Sequence, residues 1–560
     1  KRIHQELIGS TKEDRFNYFI SNYITEPNDI LTLLKKYPVL GRLMVTSMKN
    51  IVHSRLEALK HYLNDYNELQ NKFGGNFTEL ISIKGNVGDV HNSGRSVLIF
   101  SFVSGEKLVY KPRSLAIDQH FQEFLSWINN KGINPQFKTM KVLDRTTYGW
   151  QEYIETEECK NVEAVKRFYK RQGGYLAISY LLNATDFHSE NIIASGEHPF
   201  FIDLESLFQN RLPIDTNENA SQIASTKLMN SVLRTGLLPV SLFKSNFLQG
   251  IEISGLGGYK GQAIPKSVYG FVDVGTDEMR MEKKQFYLEE GKNRPIMNGK
   301  AIRSEEYIGE IVEGFRNLYK LFIDFREELL SENGPISLFK NDQVRAIIRH
   351  TQSYGSMLEA GMHPKNLKDG LMRVQLFDFM WRIVKQIPKM SLVVSSEHKD
   401  LLQGDIPSFV TKVSSCHIWD HRGKKIENFY DQDSYTATIK LLNELNDQDY
   451  EEQIKMIKTS MTTMIKKWDS KLAYRDPMKK QVTKIASQEE FINAAIDIGE
   501  RLERKAIWSA DGKTVTWIGL GANEHDQWLF TPLDSSLYDG LMGVSLFYAY
   551  LSKQTGIKKF

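Results

Sequence analysis

Cysteine is nearly absent. Cys159 and Cys416 are the only two in 560 residues, far apart and outside any Cys-x-x-Cys or Cys/His cluster, which argues against a disulfide framework and a cysteine-based zinc site. Long apolar runs are missing as well, and no stretch approaches the roughly 18 residues that a membrane span needs. No sign of charge dominates: 72 Lys and Arg face 69 Asp and Glu, a balance without the electrostatic footprint of a nucleic-acid binder. The opening Lys1-Arg2-Ile3-His4-Gln5-Glu6 has no initiator methionine and no apolar signal core behind it. The chain is therefore expected to begin inside a longer protein and to work in a reducing, cytoplasmic compartment.

Hydrophobic residues make up 41% and charged residues 25%, as in soluble globular chains. The length exceeds the ~250–300 residues that one core serves, so two or more cores are expected. From about Glu13 to Lys72 apolar residues recur at three- and four-residue spacing, which predicts amphipathic helices with Leu40, Met44, Met48, Ile51, Leu56, Leu59 and Leu63 packed inward. Near residue 80 the pattern changes. Ser96–Val103 is rich in β-branched and aromatic residues, 104–107 is turn-like, and Leu108–Lys111 resumes a strand, so a β-hairpin is predicted. Pro112 blocks continuation, Ser114 can cap a helix with Leu115, Phe121, Phe124, Leu125 and Ile128 on one stripe, and Gly149–Glu155 reads as a further strand before a helix around Val162–Leu182. From about Ile223 to Ile498 helices and loops are expected.

The most informative block is Asn183-Ala184-Thr185-Asp186-Phe187-His188-Ser189-Glu190-Asn191, followed by Ile202-Asp203-Leu204-Glu205 after a turn. Phosphoryl transfer needs a carboxylate to orient and accept the hydroxyl proton, and oxygen ligands for Mg²⁺. Asp186, Asn191 and Asp203 can supply them. A strand lysine in the preceding lobe completes the pattern, and Lys111 occupies that place, with Glu123 on the following helix as its candidate partner. The order strand, strand, helix, strand is that of a kinase-type N-lobe. The block lacks His-Arg-Asp and Asp-Phe-Gly and looks closer to lipid kinases, whose catalytic loop carries Asp-Arg-His before the Asn.

Together with Val109-Tyr110-Lys111-Pro112-Arg113-Ser114-Leu115 and Gly404-Asp405-Ile406-Pro407, these motifs resemble the dehydratase domain of class II lanthipeptide synthetases, in the same order and over roughly residues 80 to 540. The resemblance implies an α+β fold: a two-lobed, lipid-kinase-like core with extensive added helices. It divides the chain into a helical N-terminal region (1–80), an N-lobe (81–155), a C-lobe with helical elaborations (156–535) and the truncated start of a cyclase-like domain (536–560). It implies ATP and Mg²⁺ as cofactors and a precursor peptide with a leader as substrate. Ser and Thr would be phosphorylated and the phosphate then eliminated, leaving dehydroalanine and dehydrobutyrine.

By the same resemblance Lys111 would contact the nucleotide phosphates and Asp186 the substrate hydroxyl. Asn191 and Asp203 would hold Mg²⁺, Glu205 would belong to the cofactor site, and His188 would support the phosphates or the loop. Arg345 and Thr351 match the family's elimination pair, although on a helix their spacing does not align them, whereas Arg345 and Arg349 would share one face. Asp89 and His91 match a pair tied to dehydration. The residues alone leave open a Gly-rich turn at 88–95, a turn at Ser254–Tyr259, and surface ion pairs for the arginines. A lipid or small-molecule kinase without elimination, and a peptide-binding pseudokinase, are the rival readings. In the full family a zinc site of Cys and His follows, as a C-terminal cyclase; no cysteine follows Cys416, so cyclisation is not assigned to these residues.

Overall fold

β-branched and aromatic side chains pack well on a pleated surface and lose rotamer freedom in a helix, so the segment after residue 80 favours extended chain. In the structure, a computed structural model describing residues 5–210, 212, 219–239, 252–263, 268–464, 486–522 and 528–559, it forms β1 (Leu80–His91), β2 (Arg95–Phe102) and β3 (Lys107–Lys111). With β4 (Val142–Asp144) and β5 (Gly149–Glu152) these make one antiparallel sheet of order β1-β2-β3-β5-β4. The hairpin read from the sequence is β2–β3. The segment read as a Gly-rich turn belongs largely to β1, and the chain reverses only at Asn92, Ser93 and Gly94, all at positive φ.

Three helices precede the sheet: α1 (Lys12–Tyr23), α2 (Pro27–Lys36) and the 36-residue α3 (Pro38–Phe73). Ala58, Tyr62 and Leu69 of α3 pack on Leu98, Phe100, Phe102, Leu108, Tyr110 and Trp150 of the sheet. Of the stripe that the spacing predicts, Leu59 packs against this cluster, partly buried, but most of the rest does not. Met44, Met48, Ile51, Leu56 and Leu63 are 47–70% exposed. The helix is turned by its other face, where small Ser54 and Ala58 allow close approach and buried Asp65 accepts from Trp150 Nε1 (2.8 Å) and Arg145 Nε (2.9 Å). A buried carboxylate has to be placed where its donors are.

After β3 comes α4 (Ala116–Asn130), with Ile117, Phe121, Phe124, Leu125 and Ile128 buried along the predicted stripe. Leu115 takes the cap position, while the Ser114 hydroxyl accepts the Ala116 N–H at 3.2 Å. The long α5 (Val162–Leu181) is capped by Asn161 and is buried along most of its length. It is followed by the hairpin β6 (Ile192–Ser195) and β7 (His198–Phe201). Next come α6 (Ala220–Met229), two small hairpins, β8 (Val268–Val272) with β9 (Arg280–Lys284) and β10 (Ile296–Met297) with β11 (Lys300–Ala301), and α7 (Ile308–Asp324). α5 and α7 touch backbone to backbone: a Cβ on Gly173 would lie 1.9 Å from Ile311 O, and one on Gly314 1.8 Å from Lys170 O.

The segment around Arg345 departs from the helical reading. After the short helix α8 (Arg326–Leu330), Gln343–Arg345 is a strand, β12, in a four-stranded antiparallel sheet with β13 (Phe409–Lys412), β14 (Ile418–Asp420) and β15 (Lys425–Ile426). Between β12 and β13 lie α9 (Thr351–Gly361), α10 (Pro364–Lys368), α11 (Gly370–Phe377) and α12 (Ser391–Leu402). α13 (Ser434–Glu444) and α14 (Asp447–Thr462) close over the α5–α7 core. The protein is thus a mixed α+β chain with several small antiparallel sheets and separate apolar clusters, as its length implied. No helix among the described residues is long and apolar enough to cross a membrane.

The placement of α3 is testable. Leu69→Ala, at a fully buried position, is expected to destabilise the fold by about 2–5 kcal/mol, and Leu63→Lys to change it by less than about 0.5 kcal/mol. Urea denaturation followed by tryptophan fluorescence checks this; the reverse ranking would mean that the stripe of Met44 and Leu63 is the buried one.

Candidate active site

α5 delivers the chain to the loop 183–191, where Asn183 and Asp186 adopt φ values of 52° and 66°, a left-handed conformation that non-glycine residues visit rarely. The surroundings hold them there. Arg234, itself buried, donates through Nη1 to Asn183 Oδ1 (2.9 Å) and through Nη2 to the Asn183 carbonyl. Asn191 Nδ2 donates to the Asp186 carbonyl at 2.8 Å. Phe187 stacks on Phe201 and Phe201 on Tyr175, with centroids 4.4 and 4.3 Å apart, so a buried aromatic column anchors the residue after Asp186. His188 Nε2 lies 3.9 Å from Asp186 Oδ1. The Gly-rich segment at Ser254–Tyr259 lies against this loop: the Ser189 N–H bonds to Ile253 O at 2.9 Å, and a Cβ on Gly258 would meet Ser189 Cβ at 2.6 Å.

The β6–β7 hairpin carries the loop to Asp203. Ile192 pairs with Phe201, and the Ile202 N–H donates to the Asn191 carbonyl at 3.0 Å, so Asn191 and Asp203 emerge side by side from its open end. Their amide oxygen and carboxylate are hard donors of the type Mg²⁺ takes when phosphate and water fill its remaining positions. Among the described residues no group of three or more His, Cys, Asp or Glu forms a metal cluster.

From the five-stranded sheet, Lys111 and Arg113 leave β3 and its end on either side of Pro112. Lys111, 4% exposed, donates Nζ to the Ile202 carbonyl and lies 3.6 Å from Asp118 Oδ1. Its carboxylate neighbour is thus Asp118, while Glu123 is on the outer face of α4 with Gln119. Arg113 is the residue that the motif reading passed over. Its guanidinium reaches Asp118 Oδ2 (2.7 Å), Asp203 Oδ1 (3.0 Å) and Glu205 Oε2 (3.4 Å). The other oxygen of Glu205 accepts from Arg345 Nη1 (3.0 Å), and Arg345 Nη2 donates to Thr351 Oγ1 (3.1 Å). A continuous line of charge therefore runs from Lys111 to Thr351.

The Arg345–Thr351 contact exists because the two do not share a helix. Arg345 ends β12 and Thr351 opens α9, and the intervening chain turns back. Arg349 faces elsewhere, on the fully buried Glu397 (2.7 Å), so it neither shares a face with Arg345 nor forms a surface pair. His91 ends β1 with Nδ1 3.0 Å from the Ile406 carbonyl, and the Ser93 N–H donates to Asp405 Oδ2 at 2.5 Å. The Gly404–Pro407 motif thus docks the β1–β2 turn beside β13, the partner of the strand that holds Arg345. Burial pushes the Asp405 carboxyl up to about 6. Asp89 lies within β1, and its side chain is outside the described residues.

These charges set the acidities. Loss of hydration on burial pushes the Asp186 carboxyl up; His188 and Arg345 oppose it, the carboxylates of Asp203 and Glu205 add to it, and the net direction is upward. Its side chain is about half open to solvent, which limits the rise. Asp203 goes the other way: desolvation works against its ionisation, but Arg113 and Lys111 outweigh it and hold the carboxyl below its usual range. One carboxylate is made a better proton acceptor and the other a firm anion.

The family described as "Domain of unknown function (DUF4135)" matches residues 37–412, well over half of the chain. The chain is also 27% identical, over 570 aligned positions, to the lacticin 481/lactococcin biosynthesis protein LcnDR2 of Lactococcus lactis subsp. lactis; the match covers 98% of this chain and 59% of that protein. The chain thus spans about three-fifths of the relative's length. With the four motifs in order and the family match across the site, the chain belongs to the DUF4135 family, that of the dehydratase domain of class II lanthipeptide synthetases.

Proposed function

We propose that this domain uses ATP and Mg²⁺ to phosphorylate Ser and Thr of a leader-bearing precursor peptide and then eliminates the phosphate. One observation carries the reading: Arg113 and Glu205 join Lys111, Asp118 and Asp203, the groups suited to phosphoryl transfer, to Arg345 and Thr351, the groups suited to expelling phosphate. The relative's printed role in lacticin 481/lactococcin biosynthesis supports a peptide as substrate. In this reading 81–155 and 156–535 are the lobes of a kinase-like core, supported by the antiparallel sheet, the lysine at the end of β3 and the helix after it. Residues 1–80 are a helical preface, and residues 536–560 open a following cyclase-like domain.

In the first half-reaction the substrate hydroxyl attacks the γ-phosphorus, the bond to the bridging oxygen breaks and ADP leaves. Asp186 takes the hydroxyl proton, a role its raised basicity favours. Lys111 pairs with nucleotide phosphate, and His188 steadies the loop that carries Asp186. Asn191 and Asp203 would hold the cation, with Glu205 behind them, and bound Mg²⁺ would offset the negative charge of the phosphates. In the second half-reaction a base removes the Cα proton, the C–H electrons form the Cα–Cβ double bond and the Cβ–O bond breaks. Arg345, steadied by Thr351, donates to the departing phosphate. Asp89 and His91 are assigned to this half, His91 with Nδ1 on Ile406 and so with a fixed ring.

Intact-mass measurement of a candidate precursor incubated with ATP and Mg²⁺ tests the reading. The parent protein is expected to remove one water per modified site; phosphopeptide as the end product would make it an ordinary kinase. Asp186→Asn and Asp203→Asn should each leave precursor unmodified, with rates down ~10²–10⁴-fold, and near-normal transfer by both overturns their assignment. Arg345→Ala should keep the ATP half-reaction and accumulate phosphopeptide, since loss of a transition-state donor costs about 2.7–4 kcal/mol; fully dehydrated product would contradict its role. The two candidate partners of Lys111 separate cleanly: Asp118→Asn should slow phosphorylation and Glu123→Ala should not, in initial rates across an ATP titration.

A further inference from the structure

We infer that Arg113 is a positioning residue for both half-reactions, holding Asp118 and Asp203 for phosphoryl transfer and Glu205, hence Arg345, for elimination. The inference rests on the function proposed above and adds a residue that neither the motifs nor the comparisons assign. Lys111 ends β3 and Arg113 follows Pro112 in a bend, and both side chains reach Asp118. They divide the work there. Lys111 has one ammonium, on Ile202 O and near Asp118, whereas Arg113 spreads three nitrogens over three carboxylates and a fourth contact over Ser114 O (3.0 Å).

Only a guanidinium has the planar fork to do this. The consequence lies at Glu205, whose two oxygens are on different arginines: Oε2 on Arg113 Nε and Oε1 on Arg345 Nη1. Without Arg113, Glu205 is free to turn both oxygens to Arg345 and form a bidentate pair. That would neutralise the cation that must meet the leaving phosphate and draw it away from Thr351. Asp203 would lose its nearest counter-charge at 3.0 Å, and Asp118, with no exposed surface, would keep only the more distant Lys111. Displacement of reacting groups by ~1 Å costs on the order of 10²-fold in rate.

The test compares the parent with Arg113→Lys and Arg113→Met in two separate assays: initial rate of precursor phosphorylation by ATP and Mg²⁺, and dehydration of a synthetic phosphopeptide by the same enzyme. Both variants are expected to lose ~10²-fold in kcat in each assay, with KM for the phosphopeptide little changed, and lysine should not rescue because its single ammonium cannot bridge Asp118, Asp203 and Glu205. Parent-like kcat in both assays with Arg113→Lys, a loss confined to one half-reaction, or an effect on KM alone overturns the inference. Thermal melting monitors folding; if Arg113→Met unfolds, Arg113→Lys, which keeps a cation beside buried Asp118, decides by itself. The parent arm guards the distinction, because a parent that neither phosphorylates nor dehydrates overturns the proposed function and not Arg113's place within it.

Discussion

A carboxylate with no exposed surface is costly to bury unless cations and hydrogen bonds meet it. Asp118 is in that position, and the rest of the site follows from how it is met. Its oxygens draw in Lys111, the last residue of β3, and Arg113 just beyond it. Arg113, so anchored, has nitrogens left for Asp203 and Glu205. Glu205 in turn takes Arg345, which takes Thr351. Each charge is placed by the preceding one, and the sheet, the β6–β7 hairpin and β12 converge on a shared network although they are far apart in the chain.

Such a network needs rigid supports, since long charged side chains otherwise lose their geometry to rotamer freedom. The supports are apolar. α4 buries the stripe from Ile117 to Ile128 directly behind Asp118. The column Tyr175–Phe201–Phe187 ties α5 to the hairpin and to the loop of Asp186. α5 and α7 meet at Gly173 and Gly314 at distances that no side chain would permit. The β12–β15 sheet carries its own cluster, with Ala346, Ile348, Phe409 and Ile418 beneath Arg345. The polar line thus runs along the seam where separately packed cores meet.

What the sequence revealed was what local spacing controls. The β2–β3 hairpin, the stripe of α4, and the β6–β7 turn that carries Asn191 to Asp203 all depend on near neighbours. What it hid depended on distant partners. α3 carries two plausible apolar faces, and the choice falls to Asp65, whose donors come from Arg145 and Trp150 on another part of the chain. The apolar run from Val344 to Ile348 suits a helix or a buried strand equally, and only its pairing with Phe409–Lys412 makes part of it β. Asp118 was legible in principle: Phe121 and Leu125 follow it at i+3 and i+7 on the buried face, where Glu123 does not stand. Arg113 stood within the Val109–Leu115 motif without a role, because nothing in a strand-ending Pro-Arg reveals that three carboxylates will gather around it.

The proposed function requires phosphoryl transfer and phosphate expulsion to share one site, with nucleotide phosphate at Lys111 and the leaving phosphate at Arg345. A crystal structure with ADP, Mg²⁺ and a phosphopeptide tests it most directly. The phosphoserine phosphate is expected within hydrogen-bonding distance of Arg345, with the nucleotide phosphates on Lys111 and the cation on Asn191 and Asp203. A phosphopeptide bound with its phosphate remote from Arg345, or a nucleotide bound away from Lys111, would contradict the account.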